Sequence, residues 1–324
     1  MTVTLKEATG VAVIGTGSIG MRHLRILRLL ETAKPTAVPI RPERVPQLKE
    51  EGWAAASDLD EAVRQGARLA VIASDTGRHL EDSLSALERG LDLLVEKPLA
   101  VDAKQGARIV EEARQRRRKL FVGCVLRFSD SLNRFREILN RIGAIHSVRI
   151  ECQSYLPDWR PSRPYRESYS ARAEEGGVLR DLIHEIDYAG WLFGWPAAVR
   201  GRAKNLGRLG IQAEETADAF WEIQGGGAVS LHLDYLTRPT RRRMTAAGER
   251  GSLEWDGVEG TVTLLLEGTE KQVVHSSQTR DEMFLAQADA VLKAVRGTGD
   301  PRLTSGEDGV RALAICDAVR SMKE

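Results

Sequence analysis

The chain has 324 residues, of which 42% are hydrophobic and 29% are charged, so we expect a globular protein with two domains. Its formal net charge of +1 argues against a nucleic-acid-binding protein, and no apolar run is long enough to cross a membrane. The three cysteines are scattered and residues 1–10 are mostly polar. We therefore expect a cytosolic protein with reduced thiols, no signal peptide and no metal site.

The first part of the chain alternates between short apolar runs and amphipathic segments. The apolar runs predict strands at residues 10–14, 36–40, 69–73, 91–95 and 120–122. The amphipathic segments between them predict helices of about ten residues. This alternation is typical of a doubly wound parallel sheet, so we predict an α/β Rossmann domain over residues 1–122.

The second part of the chain has a different pattern. Residues 199–274 contain several runs in which apolar and polar residues alternate, separated by glycine turns. Such runs predict an open, mostly antiparallel sheet with one buried face. Two helices are predicted at residues 281–296 and 305–321. We therefore predict an α+β domain for substrate binding and oligomerisation over residues 123–324.

A glycine loop follows the first predicted strand and opens a helix. The sequence GTGSIG, with Gly15, Gly17, Ser18, Ile19 and Gly20, fits the GxGxxG pattern in its proper context. The glycines permit a tight turn, approach of a pyrophosphate to the backbone, and close packing of helix on strand. The loop predicts dinucleotide binding; the alternative is a purely structural turn.

The residues after the second strand bear on the choice between NAD and NADP. NAD-binding folds place an acid there that binds the ribose 2′-hydroxyl, whereas this chain has Arg41, with Arg44 close behind. Guanidinium groups favour the 2′-phosphate of NADP, which we slightly prefer. In the alternative, both arginines are solvated and Glu43 binds the ribose.

Two segments far apart in the chain carry groups that can move protons. Glu96 and Lys97 end a buried strand, and Asp181, His184 and Asp187 lie on one face of a predicted helix. A histidine titrates near neutral pH, a neighbouring carboxylate fixes its tautomer, and a lysine can polarise an oxygen. We expect the two segments to meet. The alternatives are a surface lysine and an ordinary helix histidine, with Asp187 as a plain polar contact.

The stretches VAVIGTGSIGMRHLRIL, LLVEKPLAVD and GGVLRDLIHEIDY together resemble the Gfo/Idh/MocA family of oxidoreductases. The resemblance implies hydride transfer between NAD(P) and a sugar, cyclitol or related carbonyl, and an open sheet that often forms dimer or tetramer contacts. It also implies that Glu96 and Lys97 lie at the cofactor, with Lys97 between nicotinamide and substrate. The peptide bond before Pro98 is expected to be cis.

The chain departs from the family pattern at several positions. Many members have an aspartate four residues before the histidine, where this chain has Arg180, so Asp181 takes that part at a shorter spacing. Residues 73–79 resemble a T-P-N-x-x-H loop near the cofactor but lack its proline and asparagine. Ser74 and His79 remain candidate cofactor residues.

Candidate substrate residues come from two places. Residues 123–128 resemble a family stretch that often carries an asparagine, which is Val125 here, while Arg127 is retained. The loop at residues 155–166 is rich in aromatic residues and arginines, which stack on sugars and clamp anionic groups. It contributes Tyr155, Trp159 and Arg160. The alternative is a structural loop held by ion pairs.

These features predict an NAD(P)-dependent dehydrogenase or reductase that acts on a CH–OH group of a sugar, sugar acid or nucleotide-sugar. Two other functions are compatible with the sequence. One is a reductase of a non-sugar carbonyl or imine, as in biliverdin reductase and dihydrodiol dehydrogenase relatives. The other is a dinucleotide-sensing protein without turnover. We expect a homodimer or homotetramer that binds neither nucleic acid nor a membrane.

Overall fold

The structure is a computed structural model that describes residues 8–160 and 164–322. Residues 161–163 of the predicted substrate loop lie outside the described residues. The chain divides into two compact units. The first comprises the described parts of 1–100, 104–125 and 280–309, and the second comprises those of 101–103, 126–279 and 310–324.

The described residues form strands and α-helices in the following chain order. The strands are β1 (Thr9–Ile14), β2 (Ala33–Val38), β3 (Ala67–Ile72), β4 (Asp92–Val95), β5 (Leu120–Val122), β6 (Ile145–Gln153), β7 (Arg200–Lys204), β8 (Thr216–Glu222), β9 (Ala228–Asp234), β10 (Arg241–Gly248), β11 (Gly251–Asp256), β12 (Thr261–Leu266), β13 (Gln272–His275) and β14 (Thr304–Ser305). The helices are α1 (Ser18–Arg28), α2 (Val45–Glu50), α3 (Leu59–Arg64), α4 (His79–Glu88), α5 (Ala103–Gln115), α6 (Asp130–Ile138), α7 (Val178–Asp181), α8 (His184–Phe193), α9 (Arg280–Val295) and α10 (Gly306–Ser321).

The sheet of the first unit has the strand order β14-β5-β4-β3-β1-β2 among the described residues. All neighbouring pairs are parallel except β14 with β5, which confirms the predicted mostly parallel Rossmann sheet. Val11, Ala12 and Val13 of β1 are fully buried, as a strand covered on both faces requires. Because these strands are parallel, the carboxyl ends of β1, β3 and β4 lie on the same side of the sheet. The predicted cofactor residues follow directly after these strand ends.

Two boundaries in the first unit differ from the sequence prediction. Strand β2 ends at Val38, before Pro39, and it lies at the edge of the sheet, where its own Pro35 costs no ladder bond. Helix α9 belongs to this unit rather than to the later part of the chain. Its Phe284 and Val291 are buried in the same apolar cluster as Leu24 of α1.

The sheet of the second unit has the order β13-β12-β11-β10-β6-β9-β8-β7 among the described residues. Its neighbours are antiparallel except for the parallel pair β6 and β9, which confirms the predicted mostly antiparallel sheet. One face is apolar and buried, as Met244, Ile150 and Leu231 show. Helices α6, α7 and α8 contact the sheet, and the other face carries polar and charged side chains. Across residues 8–160 and 164–322, every helix falls short of the length and apolarity that a bilayer crossing needs.

Candidate functional site

The fold places different constraints on the three glycines of the loop after β1. Gly15 has a φ of +90°, and a Cβ there would lie 2.6 Å from the Ala73 carbonyl oxygen. A Cβ on Gly20 would lie 1.8 Å from the Gly15 carbonyl oxygen, so this glycine permits the helix to pack on the loop. A Cβ on Gly17 would meet nothing within 4 Å. Gly17 therefore keeps open a space that the fold itself does not fill.

The open space at Gly17 lies at the beginning of α1. Gly17 is the N-cap residue, with no side-chain cap, and the first turn, which starts with Ser18 and Ile19, contains no acid. Backbone amides at a helix N-terminus favour an anion, and here no side chain competes for them. The loop therefore fits the pyrophosphate of a dinucleotide, and these five predicted residues would hold it.

Replacing Gly17 by valine is expected to weaken NAD(P) binding by more than about tenfold, or about 1.4 kcal/mol, without destabilising the fold. The backbone at Gly17, with φ −77° and ψ −168°, accepts any residue, and the added atoms enter only the open space. Gly20→Ala is the matched control, because its Cβ meets backbone and should cost about 1–3 kcal/mol of stability. Cofactor titration and denaturant unfolding separate the two effects, and equal cofactor affinity of Gly17→Val and wild type would contradict the assignment.

The arginines after β2 differ in their surroundings. Arg44 donates from Nη1 to the carbonyl oxygen and to Oγ1 of Thr16, both at 2.9 Å, so it braces the glycine loop. Arg41 and Glu43 are exposed. Only Arg41 thus keeps the exposed position that the predicted contact to a 2′-phosphate requires, and the alternative role of Glu43 stays open.

Ser74 and His79 bind other parts of the protein. The Ser74 hydroxyl donates to Asp82 Oδ2 at 2.6 Å. The ring nitrogens of His79 lie 2.8 Å from the Pro98 carbonyl oxygen and 3.1 Å from that of Ser74. Burial lowers the pKa of His79, which favours the neutral ring. His79 therefore ties the end of β3 to the turn after β4.

The segment after β4 holds Lys97 next to a buried acid–histidine pair. Glu96 Oε1 lies 2.6 Å from His23 Nε2, and both side chains are buried. Burial raises the pKa of Glu96, but the His23 bond and the charges of His23 and Lys97 outweigh it and lower the pKa overall. Lys97 is half-buried, and its peptide bond to Pro98 is cis, which confirms that expectation.

His23 was not among the predicted site residues. Its sequence signal is a histidine on the buried face of α1, beside Leu24 and Leu27, which by itself is ambiguous. Its partner Glu96 is far away in sequence, so only the fold shows that the two form one pair. The pair fixes the strand end from which Lys97 projects.

In the second unit, the predicted single helix that carries Asp181 and His184 is wrong. Helix α7 ends at Asp181 and α8 begins at His184, with Leu182 and Ile183 between them. Leu182 has a ψ of 28°, and the amide of Glu185 donates to the Leu182 carbonyl oxygen in a tightened turn. The two residues therefore do not share a regular helical face.

Asp181 lies in a buried cluster of aromatic residues. Its Oδ2 accepts a hydrogen bond of 2.6 Å from the Tyr235 hydroxyl, and its charge, together with burial, raises the pKa of Tyr169. Burial and the Asp181 charge also raise the pKa of Tyr235. Both phenols therefore stay protonated at neutral pH. Neither tyrosine was predicted, because no local pattern links β9 or the loop before α7 to Asp181.

His184 is placed differently from Asp181. Within residues 178–190, His184 alone is partly exposed, and all the other residues are buried. It begins α8, at the break that follows α7. Of the Asp181–His184 pair, the histidine is therefore the one accessible to solutes.

Arg127 and Asp187 form a buried bidentate ion pair. Arg127 Nε lies 3.0 Å from Asp187 Oδ2, and Nη2 lies 2.7 Å from Oδ1. Each side chain is 2% exposed. This ion pair compensates the buried charge of Asp187. It also engages two of the three guanidinium nitrogens of Arg127, the predicted substrate residue. The ion pair with Asp187 thus holds Arg127 in place within the second unit.

The predicted substrate loop contacts the Asp181 cluster. Trp159 packs edge-on against Tyr235 at a centroid distance of 5.4 Å, and its Nε1 donates to Ser154 Oγ at 2.8 Å. The exposed Arg160 guanidinium lies 5.9 Å from the Tyr169 ring centre. Tyr155 lies under the Arg238 guanidinium at 3.3 Å. Trp159 and Arg160 thus contact the two tyrosines that interact with Asp181, whereas Tyr155 contacts Arg238.

No group of three or more His, Cys, Asp and Glu side chains among the described residues is arranged to hold an ion.

The fold and the glycine loop define a dinucleotide-binding protein of the Rossmann type. Residues 9–124 match the oxidoreductase family with an NAD-binding Rossmann fold, and residues 134–254 match the GFO/IDH/MocA C-terminal domain. The chain belongs to the Gfo/Idh/MocA family and is an NAD(P)-binding oxidoreductase of that family.

Several relatives of known name are similar over nearly the whole chain. The inositol 2-dehydrogenase of Leifsonia xyli subsp. xyli is 30% identical, over 100% of this chain and 95% of its own. The myo-inositol 2-dehydrogenase of Thermotoga maritima is 25% identical, over 97% and 96%. The WlbA dehydrogenase from Bordetella pertussis, in complex with NADH and UDP-GlcNAcA, has a TM-score of 0.81 at 21% identity, over 97% and 96%, and so has the same fold.

Proposed function

We propose that this protein transfers a hydride between NAD(P) and a secondary alcohol or ketone of a sugar, sugar acid or nucleotide-sugar. The observation that carries the proposal is the pair of half-accessible proton-moving side chains, Lys97 after β4 and His184 at the start of α8, each among buried neighbours. The names of the relatives support the substrate class, because they include dehydrogenases of inositol and a dehydrogenase in complex with UDP-GlcNAcA.

In this proposal the chain performs the proton chemistry. Bound NAD(P) supplies the hydride acceptor or donor. His184 takes the hydroxyl proton during oxidation and returns it during reduction, since an imidazole can both accept and donate a proton. Lys97 donates a hydrogen bond to the substrate oxygen and stabilises the negative charge that develops there. Asp181, whose carboxylate is held by the Tyr235 hydroxyl, is the remaining member of the proposed catalytic set.

Two other functions are distinguishable from this one. A reductase of a non-sugar carbonyl or imine would use the same residues but would not oxidise any sugar alcohol. A dinucleotide-sensing protein would need the glycine loop but neither Lys97 nor His184. The retention of both side chains in accessible positions favours an enzyme.

The proposal is tested by purifying the protein, identifying the nucleotide that co-purifies by mass spectrometry, and adding a panel of polyols, sugar acids and nucleotide-sugars. We expect at least one of these compounds to change the redox state of the nicotinamide. If only imines or non-sugar carbonyls do so, the reductase alternative is correct. If none does so while the cofactor binds tightly, the sensing alternative is favoured.

A slight preference for NADP is also part of the proposal. Replacing the exposed Arg41 by alanine is expected to weaken NADPH binding by about tenfold and NADH binding little, because the proposed partner of the lost charge is the 2′-phosphate, which NADH lacks. Arg44→Ala is the control, and it should weaken both cofactors alike, since Arg44 braces Thr16. Calorimetric titration measures both affinities. An equal loss for the two cofactors in Arg41→Ala would exclude the preference.

A further inference from the structure

A short loop before α7 carries Tyr169, one of the two tyrosines that interact with Asp181. The loop spans residues 169–177 and is called the Tyr169 loop below. Its end folds back on its beginning, since a Cβ on Gly176 would lie 2.2 Å from the Tyr169 carbonyl oxygen and 2.6 Å from that of Ser170. A group that holds Gly176 in place therefore also holds the backbone of Tyr169.

Arg180 binds the end of the Tyr169 loop. Its Nη1 donates hydrogen bonds to the carbonyl oxygens of Ala173, Glu174 and Gly176, at 3.2, 3.0 and 3.2 Å. Arg180 is only 7% exposed, so little water competes for these bonds. A charged donor in such a place forms stronger hydrogen bonds than a neutral one. The guanidinium therefore fixes the path of the chain between Ala173 and Gly176.

A second arginine binds the same loop. Arg320 Nη2 donates to the Ala173 carbonyl oxygen at 2.8 Å and to Glu214 Oε2 at 2.7 Å. Glu214 in turn lies against Gly177, where a Cβ would come within 2.2 Å of Oε1. Burial, and then the charge of Arg320, lower the pKa of Arg180, so holding both cations at the loop costs free energy. The bonds from Arg180 to the loop carbonyls offset part of that cost.

The Tyr169 side chain connects the loop to Asp181. The charge of Asp181, burial and a hydrogen bond to the carboxylate raise the pKa of Tyr169, against the opposing charge of Arg160. Asp181 Oδ2 also accepts the bond of 2.6 Å from the Tyr235 hydroxyl. The carboxylate therefore interacts with one phenol that follows β9 and one that belongs to the Tyr169 loop. The adjacent residues Arg180 and Asp181 thus engage the same loop, one through its carbonyls and the other through its phenol.

We propose that Arg180 is a positioning residue, which binds the Tyr169 loop and thereby sets the place of the Tyr169 phenol and the orientation of the Asp181 carboxylate. The inference rests on the proposed function, in which Asp181 belongs to the catalytic set. Without the guanidinium, the carbonyl oxygens at the end of the loop lose their donor, and the loop can take other paths. Asp181 would then keep its bond from Tyr235 but lose its second phenol.

The titration of Tyr169 reports the position of the loop without any turnover. In the wild type its phenol should stay neutral well above the ordinary tyrosine value of about 10, because it faces the Asp181 carboxylate. In Arg180→Met the loop is released and the phenol moves away from Asp181, so it should ionise at about pH 10. Carbon-13 NMR of the tyrosine Cζ atoms measures this, with Tyr169→Phe to assign the signal. Tyr188, whose pKa burial raises, should stay neutral in every variant and thus checks the fold.

Two further variants accompany Arg180→Met. Arg172→Met is the matched control, since it removes an arginine of the loop itself whose side chain is 50% exposed and pairs with Glu175. It should leave the Tyr169 titration unchanged. Arg180→Lys keeps a charged donor near the loop carbonyls and should restore most of the wild-type titration. This milder change also tests the inference if Arg180→Met folds poorly.

Kinetics with the substrate found in the panel tests the link to the reaction. Arg180→Met should lower kcat by about 10–100-fold through misplacement of the Asp181 carboxylate, and Arg180→Lys should lower it less. Combining Arg180→Met with Asp181→Asn should lower kcat no further than Asp181→Asn alone, because the arginine acts through the carboxylate. A merely structural role for Arg180 would lower the free energy of unfolding and leave the two losses in kcat additive.

Failure of this inference and failure of the proposed function give different results. If Tyr169 titrates alike in the wild type and in Arg180→Met, the inference is overturned, whatever the turnover. It is also overturned if Arg180→Met keeps full kcat or if the losses in the double variant are additive. If the titration shifts as expected but no compound changes the redox state of the nicotinamide, the placement of Tyr169 by Arg180 is supported and only the proposed reaction fails.

Discussion

Replacing Lys97 by alanine is expected to lower kcat by about 10²–10⁴ while NAD(P)H still binds within a few-fold of the wild-type affinity. Lys97 is half-buried at the end of β4, next to the buried Glu96–His23 pair, so its ammonium group is held in a defined place. The loss should fall on kcat more than on the affinity for cofactor, because the glycine loop binds the pyrophosphate. Steady-state kinetics with the identified substrate and cofactor titration measure the two quantities.

Two controls accompany this prediction. Lys49→Ala changes an exposed lysine of the same unit and should leave kcat unchanged. His184→Asn should lower kcat by a similar factor and flatten the limb of the pH profile that reports the general base, whereas Lys97→Ala should leave that limb in place. If Lys97→Ala keeps both full turnover and full substrate affinity, the assigned role is wrong.

Replacing Arg127 by methionine is expected to lower the free energy of unfolding by about 3–5 kcal/mol, because it leaves the Asp187 carboxylate buried without its charged partner. The pair is bidentate and both side chains are 2% exposed. The double variant Arg127→Met with Asp187→Leu should recover much of this loss, since an apolar pair of similar volume carries no unpaired charge. Denaturant unfolding measures all three variants.

The same variants distinguish positioning from substrate binding. If Arg127 acts only through Asp187, the double variant should recover KM together with stability. If Arg127 also binds substrate directly, as its sequence position suggested, KM should stay raised in the double variant although stability returns. A single variant with normal stability and a raised KM would contradict the structural role.

The fold could be predicted from the sequence because its signals are local and consistent. The buried runs of β1, β3 and β4, the glycine loop and the alternation of the later strands all act over fewer than about ten residues. Gly15 and Gly20 are required by a positive φ and a close backbone approach, which the GxGxxG spacing encodes.

The contacts of the site could not be predicted, because they join residues far apart in the chain. His23 meets Glu96 across 73 positions, and Asp181 meets Tyr235 across 54. The break between α7 and α8 lies at Leu182 and Ile183, whose apolar side chains fit the helical periodicity and give no sign of it.

The central claim is that this chain moves a hydride between NAD(P) and a secondary alcohol carbon of a sugar, with Lys97 assisting. The most direct measurement uses the substrate found in the panel, deuterated at that carbon, and follows the label by mass spectrometry in a single turnover. The account predicts that deuterium appears on the reduced nicotinamide with the wild-type protein and is almost absent with Lys97→Ala. Cofactor reduction without deuterium transfer, or equal transfer by the variant, would contradict it.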